Sequence, residues 1–343
     1  MSAAVPSPNL PPVNVAPCPI CGAASGDSYP GLWKMREDGR EFRYRECAAC
    51  RTLFCDPLPT EEEIHYLYTE RYDFEWFRQH RLHKRIQAWH RFLRLGHLLR
   101  QLDVRIEGAR LLDVGCGHGW FLAVAARRGW ECQGVDFLND AGIQEAQRSG
   151  ARIHNGSIET TELPPGHFDL LTMWHILEHT RDPRGVLRRV AEVLRVGGLC
   201  FIAVPNRDAA GLALAGWDWG WLQKPFIHVF GFSECGLRRL LPPNLEPVRI
   251  VSRDVWDQQY ICFTRPYRAV SVALYKLFRA PRKVFSLLGL ATGVRAMDRL
   301  HFFADDFLQL LTYAGYLVTR PMWRKYEEKL RGSELLVIAR KTA

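Results

Sequence analysis

Between residues 109 and 206 short apolar runs alternate with stretches patterned for helices. Leu111-Leu112-Asp113-Val114, the run leading into Gly134-Val135-Asp136-Phe137, Ile153-His154-Asn155, the apolar stretch from Phe168 to Trp174, and residues 199–205 each have strand length. Two more strands are expected at residues 248–251 and at 334–340, making seven. A helix follows the first run, and another spans the residues from Pro183 to Arg195, with Asp182 as N-cap and a stop at Gly197-Gly198. Alternation at such short intervals is what a parallel sheet with helical crossovers requires, so the fold class is α/β.

The first run passes straight into Gly115-Cys116-Gly117-His118-Gly119 and then into a helix opening at Trp120. Ligands of doubly wound sheets bind at the carboxyl ends of the strands, which makes this turn a predicted ligand edge. Its spacing is not that of a dinucleotide turn, which needs a third glycine where Trp120 stands. No Gly-Lys-Ser/Thr follows, so a phosphate-binding P-loop is excluded as well. Asp136 lies 23 residues after Asp113, about the distance at which a carboxylate after the second strand meets a ribose diol.

The chain order Leu-Asp-Val-Gly-Cys-Gly-x-Gly from Leu112, Gly-Val-Asp from Gly134, Phe-Asp-Leu from Phe168, Leu-Glu-His from Leu177, Leu-Arg-x-Gly-Gly from Leu194 and Val-Pro-Asn from Val204 resembles the class I S-adenosylmethionine (SAM) methyltransferases. The nearest subgroup contains the ubiquinone-biosynthesis O-methyltransferases and related small-molecule enzymes. The match is tight over residues 109–206 and loose elsewhere. The resemblance implies a Rossmann-like, seven-stranded sheet and SAM as cofactor. It implies SAM contacts from Asp113, Gly115, Cys116, Gly117, Gly119, Asp136, Phe137 and Trp174, with Ser157 and Ile158 beside the adenine. It also implies that the insertion at about 206–232, with Trp217, Trp219 and Trp221, is a lid over the acceptor, although three tryptophans also suit a packed plug.

Ahead of this domain, Cys18-Pro19-Ile20-Cys21 is followed after 25 residues by Cys47-Ala48-Ala49-Cys50. Two such knuckles suit a tetrahedral four-thiolate zinc site, and the hairpin signal Asp38-Gly39 between them completes a zinc ribbon over residues 18–58. So short a segment has too little core to fold unaided, so the Zn²⁺ is expected to be structural. Thr60-Glu61-Glu62-Glu63 has the capping-box pattern, opening a helical linker or cap over 59–108. Ile86, Trp89, Phe92, Leu93, Leu95 and Leu99 give it a wide apolar face. Its basic positions, Arg78, Arg81, Lys84, Arg85, Arg91, Arg94 and Arg100, suit either phosphates or a solvated face on a helix packed over the cofactor. The methyltransferase domain is expected over 109–343, with a helical insertion at about 258–331.

Residues 1–17 are rich in Pro, Ala and Ser and lack the basic and apolar regions of a signal peptide, so they read as a disordered tail. That reading puts the ten cysteines in a reducing cytoplasm. The absence of a long uncharged apolar run leaves no transmembrane span, and the basic amphipathic stretch 267–294 suits peripheral contact with an anionic membrane or packing on its own domain. A net charge of +9 permits anionic partners without choosing among them.

Methyl transfer from a sulfonium is an in-line displacement that needs a positioned acceptor and, where the acceptor carries a proton, a base. His175, Glu178 and His179, just after the fourth strand, and His228 in the lid are the candidates, with His175 and His228 as the leading bases. The expected reaction is methylation of a small-molecule acceptor: a sugar, a polyketide or quinone-like compound, or a lipid-linked metabolite. Two other readings compete: an RNA methyltransferase using the ribbon and the basic helix, and a SAM-binding interaction module without turnover. The Asn/Asp-Pro-Pro-Tyr/Phe signature of amine methyltransferases is absent after strand four, where Trp174-His175-Ile176-Leu177 stands.

Overall fold

In the computed structural model the described residues are 17–28, 33–34, 41–66, 81–104, 107–137, 143–215, 227–253 and 331–343, with Leu288, Thr292, Leu300 and Lys329. The lid tryptophans, nearly all of the 258–331 insertion, the stretch 267–294 except Leu288 and Thr292, the Asp38-Gly39 turn and Arg78 lie outside them. Among the described residues no helix is long and apolar enough to cross a membrane.

The N-terminal unit is an antiparallel ribbon of β1 (Ser25–Ser28), β2 (Trp33–Lys34), β3 (Glu41–Cys47) and β4 (Leu53–Asp56). β3 is central, pairing with β1, β2 and β4. Trp33 faces Phe42 and Lys34 faces Glu41. A two-residue turn at Asp38-Gly39 would instead set Glu37 against Arg40, so the register is displaced by one two-residue step. After β4, Thr60 and Glu63 form a reciprocal capping box for α1 (Glu61–Tyr66): the Thr60 N–H donates to the Glu63 carboxylate at 2.6 Å, and the Glu63 N–H donates to the Thr60 hydroxyl at 3.2 Å.

Helix α2 (Arg81–Gln101) carries a buried stripe of Ala88, Leu95, Leu98 and Leu99, with Phe92 packed beside it. This stripe is rotated from the expected one, since Trp89 and Leu93 are exposed. Helical spacing selects both sets equally, and the side that meets the sheet is decided by the partner surface. Trp89 is covered from outside by the Arg128 guanidinium, 4.3 Å from its ring centroid.

The main sheet follows: β5 (Arg110–Val114), α3 (Trp120–Ala126), β6 (Glu131–Asp136), α4 (Ile143–Arg148), β7 (Arg152–Asn155), β8 (Phe168–Trp174), α5 (Pro183–Val193), β9 (Leu194–Pro205), α6 (Ala210–Ala215), β10 (Phe230–Gly231), α7 (Glu234–Leu240), β11 (Leu245–Arg253) and β12 (Glu334–Lys341). Seven of these strands pair in the order β11-β12-β9-β8-β5-β6-β7, all parallel except β12, which runs against both neighbours. Asp182 caps α5 by accepting from the Gly185 N–H at 2.9 Å, with Pro183 opening the helix as expected. The helix stops at Val193, two residues early, because Leu194 is already extended and pairs with Phe168.

One face of the sheet is covered by α2, α3 and α4 and the other by α5 and α7. The ribbon packs on the α5/α7 face and shares its core, in which Ile20, Phe42 and Phe54 join Phe230, Phe232, Leu237 and Leu240. The tenth strand makes this junction. Phe230 pairs with Phe54 and Gly231 with Leu53, so the C-terminal end of the segment expected as a lid is a strand of the ribbon's sheet.

Candidate functional site

The glycine turn between β5 and α3 is drawn tight by backbone bonds. The N–H groups of Gly115 and Cys116 both donate to the Val135 carbonyl, and the Gly117 N–H donates to the Asp136 carboxylate at 2.7 Å. Gly115, Gly117 and Gly119 all have positive φ. Their surroundings differ. A Cβ on Gly115 would lie 2.0 Å from Ile176 Cδ1 and one on Gly119 2.4 Å from Ala146 Cβ, whereas one on Gly117 would meet nothing within 4 Å. Two glycines therefore serve packing, and Gly117 borders open space, a backbone cradle for a small ligand. Cys116 is buried against Gly134 beneath the turn, where burial pushes its thiol well up.

Asp113 sits one layer down, buried, and accepts from the Thr172 hydroxyl at 2.6 Å. Burial raises its carboxyl to about 7, against the pull of Thr172 and Arg91. Asp136 braces the turn, with the half-exposed Phe137 beside it. Ser157 closes the turn after β7, where its oxygens bond Thr160 and Thr161, and Ile158 points into the core rather than toward solvent. Trp174 is buried on the α2 face against Phe121, with Arg91 and Arg94 over its ring and its indole N–H lacking a hydrogen-bond partner. Arg85 lies likewise over Trp120. Three of the basic positions of α2 thus stack on aromatics of the domain beneath them.

Past Trp174 the chain leaves the sheet through His175, whose φ of 58° is left-handed, and enters a single 3₁₀ turn at Leu177–His179. This kink sets three of the four catalytic candidates around one buried carboxylate. Glu178 is fully buried and neither of its oxygens has a hydrogen-bond partner. His175 Nδ1 lies 3.5 Å and His179 Nε2 3.8 Å from its Oε1. The His179 and His228 rings are 4.7 Å apart, and ligating atoms of Glu178, His179 and His228 all fall within 4.8 Å of one another. His179 Nδ1 is 2.8 Å from the Ile227 carbonyl, to which it must donate, and this leaves Nε2 toward Glu178. A carbonyl accepting from the far ring nitrogen fixes the ring orientation in the way it does for a metal-binding histidine.

His175 occupies a different setting. Its Nε2 is 3.0 Å from Glu334 at the start of β12, and Glu334 is in turn paired with Arg94 of α2. Burial pushes its pKa down, but the neighbouring carboxylates of Glu178 and Glu334 outweigh that and raise it to about 9. Burial pushes the Glu334 carboxyl up, but Arg94 and His175 outweigh it and lower it to about 2. Arg94, Glu334, His175 and Glu178 thus alternate in charge from α2 across the sheet edge to the 3₁₀ turn. The expectation that His175 is a base meets a physical obstacle here, since an imidazolium held by two carboxylates has no lone pair to offer at neutral pH. Sequence reasoning passed over Glu334. The signal was an acid opening the otherwise apolar run Leu335 to Ala339.

In the ribbon, the sulfurs of Cys18 and Cys50 are 3.7 Å apart and those of Cys21 and Cys47 3.4 Å, with all four within 4.8 Å. Sulfurs about 2.3 Å from a tetrahedral Zn²⁺ lie roughly 3.8 Å apart, so the set fits that ion. The Ile20 and Cys50 N–H groups donate to the sulfurs of Cys18 and Cys47, as knuckle backbones do. Cys55 stays outside the set, buried, with its thiol donating to the Pro57 carbonyl. The ribbon also holds the site: the Tyr44 hydroxyl donates to the His228 carbonyl, and the Cys55 N–H donates to the Val229 carbonyl at 2.8 Å.

The sequence profile of a family described as methyltransferase domain matches residues 79–242. The chain is 33% identical over 119 residues to the ubiquinone biosynthesis O-methyltransferase of Xanthomonas campestris pv. campestris (strain B100), covering 33% of this chain and 49% of that protein. To the enzyme of the same name from Idiomarina loihiensis it is 32% identical over 142 residues, 38% of this chain and 58% of that protein. The chain thus spans about half the length of these curated relatives. Among solved structures, coclaurine N-methyltransferase bound to N-methylheliamine and SAH aligns with a TM-score of 0.42 at 14% identity, over 73% of this chain and 72% of that one. A SAM-dependent methyltransferase from Methanosarcina mazei aligns at 0.35 and 18%, over 43% and 85%. With the sheet order, the glycine turn and the Asp136 brace in place, the profile match and the curated relatives agree: residues 79–242 carry a class I SAM-dependent methyltransferase domain.

Proposed function

We propose that the protein transfers the methyl group of SAM to a hydroxyl oxygen of a small-molecule acceptor, and that Glu178, His179 and His228 hold a divalent cation beside the reacting atoms. The observation that carries this reading is the clustering of the fully buried Glu178 carboxylate with His179 and His228, whose ligating atoms all lie within 4.8 Å of one another. His175 balances the charge of Glu178 on one side, and the carboxylate and the two other imidazoles together offer the O/N donor set a divalent cation takes. Burial pushes the Glu178 pKa up, yet the histidines beside it hold it below its ordinary value, so it stays ionised.

SAM would lie on the glycine turn, with Gly117 giving the close backbone approach and Asp136 facing the ribose hydroxyls. Ser157 and the exposed Phe137 would border the adenine. Asp113 would act one layer behind, through Thr172 and the β5–β8 ladder. The acceptor would enter between the 3₁₀ turn and the His228 segment, its oxygen in line with the methyl carbon and the departing sulfur. A divalent cation held there would lower the pKa of the acceptor hydroxyl, so that it would give up its proton to solvent water and take the methyl carbon as S-adenosylhomocysteine leaves. In this arrangement His228 and His179 are ligands, and His175 is a cationic strut that orients Glu178. Four thiolates in the ribbon would hold structural Zn²⁺.

Stacking of Arg85, Arg91 and Arg94 on aromatics removes three cations from the phosphate-binding set an RNA substrate would need, which favours the small-molecule reading. The test is incubation of zinc-loaded protein with methyl-labelled SAM and a cell extract separated into metabolite, lipid, RNA and protein fractions, with and without added Mg²⁺ or Mn²⁺. Label in the metabolite or lipid fraction that needs the added cation and disappears in Glu178→Gln supports the proposal. Label confined to RNA overturns the acceptor class, and cation-independent label overturns the role of Glu178.

A further inference from the structure

A cavity of about 540 Å³ opens where β9 ends, where the chain approaches β12, and where the second knuckle of the ribbon meets the start of α7. Its walls include Arg51, Arg207, Asp208, Glu234, Lys329 and Arg331. Asn206, fully buried, stitches two of the walls together: its backbone N–H donates to the Ser333 carbonyl at 2.9 Å and its amide to the Gly332 carbonyl at 2.7 Å. The Ala210 N–H adds a bond to the Arg331 carbonyl, and Arg207 Nε donates to the carbonyl of Arg51 at 2.9 Å, tying in the ribbon. The cavity is therefore framed by main-chain contacts rather than by loose side chains.

Its charge is unbalanced. Asp208 is shared by Arg51, at 2.9 Å, and Arg207, at 3.5 Å, and Glu46 reaches the same two arginines. Glu234 is engaged by Arg238 at 2.8 Å. Among the described residues no acid pairs with Lys329 or Arg331, and both line the cavity. The location matters as much as the sign. Glu334 pairs with Pro205, so the approach to β12 lies at the carboxyl end of β9, the same edge of the sheet as the glycine turn. Only β8 separates β9 from β5, a lateral step of roughly 10 Å.

We infer that this cavity binds a phosphate or pyrophosphate group carried by the acceptor, with Lys329 and Arg331 as its cations and Arg51 bringing the ribbon into acceptor recognition. The inference rests on the methyl-transfer reading above for the identity of the ligand, but not for the binding itself. The volume is far larger than a free phosphate and falls in the usual small-molecule range of roughly 300–1,000 Å³, so the anion is expected to arrive attached to a larger group. An arginine fork beside a lysine suits a multiply charged phosphoryl oxygen set better than a single carboxylate.

The test measures binding of pyrophosphate, orthophosphate and acetate to the full, zinc-loaded chain by calorimetry at low salt. The chains compared are the wild type, the Lys329→Gln/Arg331→Gln double variant, and Arg152→Gln, an exposed cation on the far edge of the sheet. Pyrophosphate should bind more tightly than orthophosphate, acetate should not compete, and the double variant should weaken pyrophosphate by about tenfold or more while Arg152→Gln leaves it unchanged. SAM, measured in parallel, should bind the double variant as it binds the wild type and should not displace pyrophosphate. Unaltered pyrophosphate affinity in the double variant, absence of binding at millimolar concentration, or displacement by SAM each overturns the inference. Loss of SAM binding in the wild type would instead count against the methyltransferase reading, so the two failures are distinct.

Discussion

The hydroxyl of Tyr44, in the middle of the ribbon's central strand, donates to the main-chain carbonyl of His228. The two residues are 184 positions apart in sequence, and Tyr44 is buried. Together with the Cys55–Val229 bond and the pairing of Phe230 with Phe54, this contact makes the ribbon the clamp that sets His228 beside His179.

Tyr44→Phe keeps the ring and removes the bond. It should cost about 1 kcal/mol of stability. Acceptor methylation should fall roughly tenfold if the His228 segment drifts, because that is the rate equivalent of about 1.4 kcal/mol. SAM affinity, which depends on the glycine turn after β5 and on Asp136 after β6 rather than on the His228 segment, should not change. Steady-state turnover compared with SAM calorimetry checks this, and turnover within twofold of wild type would refute the clamp.

Removing the ribbon's metal should act more broadly. Cys47 is buried in the core that contains Phe230, Phe232 and Leu240, and a Cβ on Gly236 of α7 would lie 1.9 Å from the Thr52 hydroxyl. With so close an approach, loosening the knuckles opens a shared core. Cys47→Ser should reduce bound zinc to well below one ion per chain and lower the melting temperature by roughly 5 °C or more, an effect of a few kcal/mol. Metal analysis with thermal denaturation by circular dichroism would decide. A variant that loses the zinc and melts as the wild type does would show that the ribbon needs no metal.

The three turn glycines are distinguishable. Gly115→Ala drives a methyl group into Ile176 and should destabilise the domain as well as abolish SAM binding. Gly117→Ala meets no neighbour, so its fold cost is the left-handed backbone alone, about 1–2 kcal/mol, and its main effect should be on SAM affinity. Asp136→Ala removes the acceptor of the Gly117 N–H and should weaken SAM at least tenfold. Calorimetric SAM affinities set against melting temperatures separate these cases, and equal SAM affinity in Gly117→Ala and wild type would place the cofactor elsewhere.

Local chemistry was legible in the sequence. The Thr60/Glu63 box and the Asp182-Pro183 helix start depend on neighbours in the chain, and each has the expected geometry. What escaped was long-range. Phe230-Gly231 is a two-residue strand with no periodicity to detect, and it exists because β4 offers an edge. Nothing near His175 announces Glu334, which lies 159 positions away and reaches it only because β12 is inserted antiparallel between β9 and β11. The face of α2 was misjudged for a related reason, since helical spacing offers several stripes and the sheet selects one.

The His175 network should leave a signature in the dependence of stability on pH. Its pKa rises from the ordinary 6.5 to about 9, so the folded state holds this proton more tightly than the unfolded state. The stabilisation is complete below the unfolded value, declines as pH rises from about 6.5 toward 9, and is lost above it, with a slope of at most about 1.4 kcal/mol per pH unit. Asp113 also has a raised pKa, about 7, and its contribution declines from its ordinary 3.8 up to that value and is flat beyond. Glu334, lowered to about 2, loses its contribution only in strong acid. The ribbon thiolates contribute to wild type and variant alike, so across about pH 7 to 9 the difference between wild type and His175→Gln isolates the imidazolium. Urea unfolding across that interval should show wild-type stability falling relative to His175→Gln, and Asp113→Asn should keep the wild-type slope. If wild type and His175→Gln fall in parallel, His175 is not held as a cation between Glu178 and Glu334, and it returns to contention as the base.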